Sequence, residues 1–292
     1  MEDQKTAVAL GIFDGVHIGH RAVLRAAADR RADGLEPCAF TFPPESTVNK
    51  GAEGYIYSQS EKSAILADEC GIRRVISPDF TEVCGMDGDS FARDILCGEL
   101  NATFVCCGND FRFGRGACCG IEELRGYGKK YGFSVMAVED VCCCGERASS
   151  TLIRRLIADG DMERAALFLG APYMILKEVS RGAQLGRTIG FPTTNQLFPK
   201  GQLVPRFGVY ASETTAGGRT YLSITDVGVK PTVSYGGAPL AETYIYGFSG
   251  DLYGSPLQVR LKCFIRPEMR FGSVDELKRQ INADIESAIN IL

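Results

Sequence analysis

A chain of 292 residues with ordinary apolar and charged fractions, 45% and 23%, has the size of two domains rather than one. Its 32 Lys and Arg against 36 Asp and Glu leave a formal charge of −4, so no basic field exists to hold nucleic acid as a main partner. No apolar run has the length of a membrane span, and the opening "MEDQKTAVAL" lacks the charged-then-apolar pattern of a secretory signal. The expectation is a cytoplasmic protein, a monomer or a weak homo-oligomer, with no membrane partner.

The first half alternates two kinds of pattern. "TAVALGIF" is a short apolar run suited to a buried parallel strand. "GHRAVLRAAADRRADG" then predicts a helix with Val23, Leu24, Ala27 and Ala28 on one face and Gly34 ending it. "EPCAFTF", "RRVISPDF", "ATFVCCG" and "FSVMAVED" are further strand candidates, and "EKSAILADECG", "SFARDILCGEL" and "GIEELRGYGKKYG" are helical. Repeated β-α alternation predicts an open, Rossmann-like parallel sheet with helices on both faces. Two short helices follow, one capped by Ser150 and stopping at Gly160, the next capped by Asp161 and stopping at Gly170.

After about residue 173 the pattern changes. "FGVYASE", "TYLSITDVG", "AETYIYGF" and "LQVRLKCFI" are short strands separated by Gly and Pro clusters, and "TTAGGRT" carries the glycines of a hairpin turn. This half predicts a small antiparallel β-barrel. "SVDELKRQINADIESAINIL" closes it as a helix, with Ser273 and Glu276 as a capping box and Leu277, Ile281, Ile285 and Ile289 recurring every four residues. "GAPYMI" is the joint, which sets the domains at 1–172 and 173–292.

Twelve cysteines occur as runs at 106–107, 118–119 and 142–144, with singles at 38, 70, 84, 97 and 263. No CxxC spacing is present, so they read as small buried hydrophobes rather than as a disulfide framework or a structural metal site.

Both histidines of the chain lie in "GIFDGVHIGH", Gly11 to His20, where a strand turns into a helix. Glycines let the backbone approach a ligand closely, and the following helix aims unpaired N–H groups and positive dipole at the same spot. Two imidazoles there can donate hydrogen bonds to phosphate oxygens as charge builds in nucleotidyl transfer. The bland alternative is that each histidine packs or caps the turn.

"GIFDGVHIGH" resembles the H-x-G-H signature of the α/β nucleotidyltransferases, in the form found in prokaryotic bifunctional riboflavin kinase/FMN adenylyltransferases (FAD synthetases). "CCGNDFRFGRG" resembles the G-x-[DN]-F-x-F-G motif of that family, and "SSTLIRRLIADGDMERAALFLGAPY" its S-S-T-x-I-R segment and the two helices after it. The resemblance implies that His17 and His20 act on ATP phosphates in the adenylyl step. It implies an ATP site that includes Gly11, Phe13 and Gly19, with Asp110 near the phosphates and Ser150, Thr151 and Arg154 binding phosphate. Residue-level alternatives are Ser150 as a helix cap, Arg154 as a surface charge, and Phe111 and Phe113 as core. The family usually carries an F-D-P-H-P-like stretch after the second strand. This chain has "TFPPES", without that acid and histidine, and Leu152 replaces a frequently basic residue.

"GAQLGRTIGFPTTN" nearly spells a phosphate loop. Gly182 and Gly186 are separated by three residues instead of four, however, and Arg187 replaces the lysine, which excludes a Walker-type NTPase. The stretch resembles the riboflavin kinase signature G-R-x-x-G-F-P-T-x-N. Thr193 and Asn195 offer hard oxygens to Mg²⁺, and Gly182, Gly186 and Gly190 permit a loop over a nucleotide. "DVGVKPTV", "AETYIYGFSGDLYG" and "RPEMRFGSVDELKRQINADI" resemble the remaining segments of the kinase half. The resemblance makes Glu242 the general base for the ribityl 5′-hydroxyl of riboflavin. It sets Gly182, Gly186 and Thr193 at ATP, with Arg266 and Phe271 on the flavin side. Unaided, Glu242 reads as an exposed strand residue.

The resemblance as a whole implies an enzyme that phosphorylates riboflavin to FMN and adenylylates FMN to FAD, using ATP and Mg²⁺ in both steps. The alternatives are a riboflavin kinase with an inactive first half, a non-catalytic flavin-binding or sensing protein, and a nucleotidyltransferase with another acceptor.

Overall fold

The computed structural model describes residues 4–47, 54–181, 186, 189–229 and 237–292; Gly182 lies outside the described residues. The chain divides by packing into two compact units, 1–150 and 151–292.

The first unit is a five-stranded parallel sheet in the order β3-β2-β1-β4-β5, made of β1 (Thr6–Leu10), β2 (Glu36–Phe40), β3 (Arg74–Ile76), β4 (Ala102–Gly108) and β5 (Ser134–Val138). Every residue of β1 is buried, because helices cover both faces of its neighbourhood, and this explains an unbroken apolar run instead of an alternation. Between β1 and β2 run α1 (Ile18–Ala28) and a 3₁₀ extension over Asp29–Asp33 that ends on left-handed Gly34, φ 80°. The β2–β3 connection holds the short α2 (Pro44–Thr47) and α3 (Gln59–Ala64), which continues as a π-helical turn over Ile65–Glu69. Short turns α4 (Phe80–Val83) and α5 (Gly88–Ser90) lead into a π-helical stretch, Phe91–Glu99. α6 (Ile121–Tyr131) ends on Gly132, φ 89°, before β5. Leu10, Phe40, Phe91, Leu96, Val105 and Phe133 share one core layer.

Strand order reverses between β1 and β4, since β2 lies on one side of β1 and β4 on the other. The loops leaving the carboxyl ends of those two strands therefore flank a crevice, the usual position of a nucleotide in an open α/β sheet. After β5 comes a small hairpin, β6 (Cys142–Cys143) and β7 (Glu146–Arg147), turned by Cys144 and Gly145, both at positive φ.

The second unit begins with α7 (Ser150–Asp159) and α8 (Met162–Leu169), which stop at Gly160, φ 80°, and Gly170, φ 78°. Asp161 caps α8, accepting from the Arg164 amide at 3.2 Å. Ser150 is the first residue of α7, and its hydroxyl donates to the Asp14 carbonyl at 2.9 Å. α8 lies against β8 (Tyr173–Glu178) and β13 (Pro256–Arg266), so the two helices pack with the barrel although the change in strand pattern comes later.

The barrel sheet runs β8-β13-β10-β11-β12-β9, all antiparallel, with β9 (Thr193–Leu197), β10 (Gly208–Ala216), β11 (Arg219–Val229) and β12 (Pro239–Ile245). Its end strands are joined beyond β8, where the Ser180 amide donates to the Asn195 carbonyl at 2.8 Å. Gly217 and Gly218, φ 56° and 76°, form the two-residue turn of the β10–β11 hairpin. β9 was not legible as a strand, because "PTTNQL" carries no apolar alternation.

Inside the barrel, Ser212, Thr214, Ser223, Thr225 and Thr243 are fully buried and bond to one another at 2.8–3.0 Å. On the opposite face of the same strands, α9 (Val274–Ile291) covers Val209, Ala211 and Ile224 through Ile281, Ile285 and Ala288. Ile289 is exposed, at 53%, and Ala288 is buried in its place, because a strict four-residue repeat drifts off a face with 3.6 residues per turn. Ser273 accepts from the Glu276 amide, but the Glu276 carboxylate takes the Gly272 amide at 2.8 Å rather than that of Ser273, so the expected box is shifted by one residue.

α9 is fastened by a bidentate pair. Arg266 donates from Nε and Nη2 to Asp284, at 2.9 and 2.7 Å, and Asp284 is only 2% exposed. Removing one partner strands a buried charge, so Asp284→Ala is expected to destabilise the second unit by about 3–5 kcal/mol, read as a lowered thermal midpoint.

Candidate active sites

The stretch that carries the histidines bends sharply. Phe13 and Val16 have φ of 52° and 41°, unusual for residues with a Cβ, and Gly15 has φ 80°. Gly11 is needed here because a Cβ would lie 2.7 Å from the Phe13 ring. The bend delivers His17 to the N-cap of α1, where Nδ1 accepts the His20 amide at 3.3 Å. That bond assigns the proton of neutral His17 to Nε2. The bland reading of His17 as a cap is therefore correct for one of its two nitrogens.

His20 stacks on His17, with ring centroids 3.6 Å apart and planes at 19°, and Phe13 meets His20 edge-on at 5.5 Å. His17 is 7% exposed and His20 half-buried. Nδ1 of His20 is buried with no hydrogen-bond partner among the described residues, a cost that a bound acceptor or donor would relieve. Gly19 makes room for the pair, since a Cβ there would stand 3.1 Å from Cε1 of His17. Gly19→Ala should therefore push the imidazole aside and lower FAD formation from FMN and ATP by roughly tenfold, with riboflavin phosphorylation unchanged in the same preparation.

Burial lowers both imidazoles. His17 falls from 6.5 to about 4, with the Arg147 guanidinium adding to the shift and Asp110 opposing it. His20 falls well below its ordinary value, through burial first, then His17 and Lys62. Both are neutral at physiological pH. Between pH 6.5 and about 4 the unfolded chain binds a proton that folded His17 refuses, so stability rises with pH through that window. The contribution is complete above 6.5 and lost as pH falls toward 4. The denaturant midpoint of the first unit at pH 4.5 should lie below that at pH 7.5.

Asp110 follows β4 at the other side of the crevice. Its side chain is 74% exposed and pairs with Arg147 at 2.7 Å; Arg147 also meets Asp140 at 2.9 Å. Phe113 is core, and Phe111 stacks on it at 5.8 Å. Ser150 touches the same loop through Asp14, whose carboxylate accepts the Ile56 amide at 2.9 Å. Thr151, exposed, and Arg154, half-buried, lie on α7 in the second unit. Sequence reasoning missed Arg147, which sits in a two-residue strand, and Lys62, which in the polar stretch QSEKSA looks like a solvent-facing helix residue.

In the second unit one row crosses three strands. Asp226 on β11 pairs in register with Glu242 on β12, which pairs with Asn195 on β9. Directly opposed residues in an antiparallel pair share a face, so an aspartate, a glutamate and an asparagine stand side by side. Thr193, one step along β9, donates its hydroxyl to Glu242 Oε1 at 2.6 Å. Phe191 meets Tyr244 edge-on at 5.4 Å beside this row, and Gly186 holds the preceding turn, its carbonyl accepting the Phe191 amide at 2.8 Å. A Cβ on Gly186 would collide with the Phe191 carbonyl. Thr193 and Asn195 are thus placed by a strand, not by the Gly/Pro loop the sequence suggested, and Asp226 was missed because only register reveals it. Arg266 is spent on Asp284 and the Pro267 carbonyl, and its guanidinium lies 5.9 Å from the Phe271 ring.

No helix among the described residues is long and apolar enough to cross a membrane. The FAD synthetase family matches residues 1–152 and the riboflavin kinase family residues 169–292. The bifunctional riboflavin kinase/FMN adenylyltransferase of Escherichia coli K12 is 37% identical over 283 residues, covering 95% of this chain and 90% of that protein. The Haemophilus influenzae and Bacillus subtilis proteins of the same name are 34% and 31% identical, covering 98% and 99% of this chain and 94% and 93% of theirs. A solved Streptococcus pneumoniae structure described as a macrolide-efflux protein superposes with a TM-score of 0.82 at 29% identity, over 99% of this chain and 95% of that one. Two family matches in tandem, on the halves that carry the histidine pair and the glutamate row, agree with relatives that match from end to end: the chain belongs to the bifunctional riboflavin kinase/FMN adenylyltransferase family.

Proposed function

We propose that the second unit transfers the γ-phosphoryl group of ATP to riboflavin, and that the first transfers AMP from a second ATP to the FMN so formed. FAD and pyrophosphate are then the final products. The observation that carries this reading is the presence of two unlike constellations, neutral imidazoles in one unit and a carboxylate row in the other.

In the kinase step Glu242 accepts the proton of the ribityl 5′-hydroxyl as its oxygen attacks the γ-phosphorus. A carboxylate on the middle of three paired strands is held rigidly for that task. Thr193 donates its hydroxyl proton to Glu242, and a hydroxyl that donates keeps two lone pairs for accepting or for a cation. Thr193 and Asn195, on the β9 side of Glu242, offer hard oxygens of the kind that suit Mg²⁺, with Asp226 across Glu242 on β11. Among the described residues no group of three or more His, Cys, Asp or Glu could hold a metal alone, in keeping with an ion that fills its shell with phosphate and water. When bound, the ion would neutralise phosphate charge. Phe271, faced by Arg266, is assigned to the flavin side.

In the adenylyl step an FMN phosphate oxygen attacks the α-phosphorus and pyrophosphate leaves. His17 Nε2–H and the His20 ring would hydrogen-bond the phosphate oxygens as charge builds, while Asp110 and Arg147 flank the same crevice. Ser150, Thr151 and Arg154 are assigned to the ATP phosphates of this step. Twelve free thiols and a dependence on ATP suit the cytoplasm.

Riboflavin with MgATP, sampled over time, should yield FMN first and FAD later with one pyrophosphate per FAD. FMN with MgATP alone should also yield FAD. If that second incubation produces none, the protein is a kinase only.

A further inference from the structure

We propose that Lys62 is a positioning residue for adenylyl transfer, its buried ammonium tying the loop that carries the histidine pair to the end of the neighbouring strand. Lys62 is 2% exposed. Its Nζ donates to the Phe42 carbonyl at 2.5 Å, Thr41 Oγ1 at 3.2 Å and the Ile12 carbonyl at 3.4 Å. Three protons meet three oxygens, so the ammonium has nothing left for a phosphate and acts through the backbone it holds. Thr41 completes the knot by donating its own hydroxyl to the Ile12 carbonyl at 2.8 Å. Ile12 leads directly into Phe13 and the positive-φ bend that sets both imidazoles.

A methionine or leucine would fill this helix position without desolvating a charge, so packing alone does not account for lysine here. Thr41 and Phe42 begin the "TFPPES" stretch, where the chain departs from the family pattern, and that stretch is the anchor the ammonium grips. Among the described residues the charged and titratable groups facing Lys62 are Asp14 from the histidine loop and Glu45 from α2, which favour its charge, and His20 from α1. Burial outweighs the two carboxylates and brings the ammonium down to about 8. Its charge in turn helps keep His20 neutral. Above that pH the neutral amine has only two protons for three oxygens, and the knot loosens.

The proposal rests on the histidine pair being the adenylyl site, so His20→Ala is measured alongside. In the full-length protein, Lys62→Met should lower kcat for FAD formation from FMN on the order of 100-fold, with KM for ATP nearly unchanged, as expected when geometry rather than contact is lost. Riboflavin phosphorylation should be unaffected. Lys62→Arg should recover at least roughly tenfold of the loss. The wild-type rate should decline above about pH 8, and that decline should be absent in Lys62→Arg, which stays charged. If His20→Ala retains full activity, the reading of the site falls and this inference falls with it. If His20→Ala is inactive but Lys62→Met runs at the wild-type rate, Lys62 alone is refuted. Should Lys62→Met fail to fold, the Lys62→Arg profile decides: an unchanged alkaline decline overturns the proposal.

Discussion

His17→Asn is expected to reduce FAD formation from FMN and MgATP on the order of 10²–10³-fold while riboflavin phosphorylation continues at the wild-type rate. Asparagine is as good an N-cap as any residue, so α1 keeps the bond that His17 Nδ1 now makes to the His20 amide. What asparagine lacks is an imidazole N–H on the far side of the ring and the stacked surface that holds His20 at 3.6 Å. The substitution therefore separates the cap from the chemistry. His20→Ala should cost at least as much, because it removes the ring whose buried Nδ1 has no protein partner among the described residues. Steady-state pyrophosphate release, with the kinase rate as an internal measure of folded enzyme, reads both variants. Full FAD formation in His17→Asn would assign that histidine to capping alone.

Glu242→Gln should lower riboflavin phosphorylation roughly 10²–10⁴-fold and leave FAD formation from supplied FMN intact. The amide oxygen can still accept the Thr193 hydroxyl, so the row from Asp226 to Asn195 keeps its shape while losing the group that takes the proton. A loss confined to KM for ATP, with kcat retained, would show that the carboxylate binds and does not act as base.

How far the sequence reached is clearest at particular residues. Buried parallel strands such as β1 and β4 are apolar nearly throughout, and β13 alternates, so the parallel sheet, four of the six barrel strands and the terminal helix are legible in the sequence. The family resemblance had the same source in short motifs, and the two family matches fall on the halves that carry them. Features set by register or by the burial of a polar group were not legible. β9 carries Thr193 and Asn195 beside Glu242 of β12, and its fully buried Gln196 donates to the Lys177 and Leu257 carbonyls, so polar residues stand where an apolar alternation would mark a strand. Asp226 looks like any alternating polar residue until Glu242 is found opposite it. Lys62 reads as the solvent-facing residue of an amphipathic helix, and only its three oxygens show the opposite. His17 reads as either cap or catalyst, and the structure makes it a cap through Nδ1, which leaves the proton on Nε2.

The claim that two constellations in one chain work independently is tested most directly by mixing. Full-length His20→Ala and Glu242→Gln proteins, each incubated alone with riboflavin and MgATP, should make FMN only and no flavin nucleotide, respectively. Combined in one vessel, they should make FAD, because FMN released by the first is adenylylated by the second. FAD from either protein alone, or none from the mixture of two folded proteins, would contradict the account.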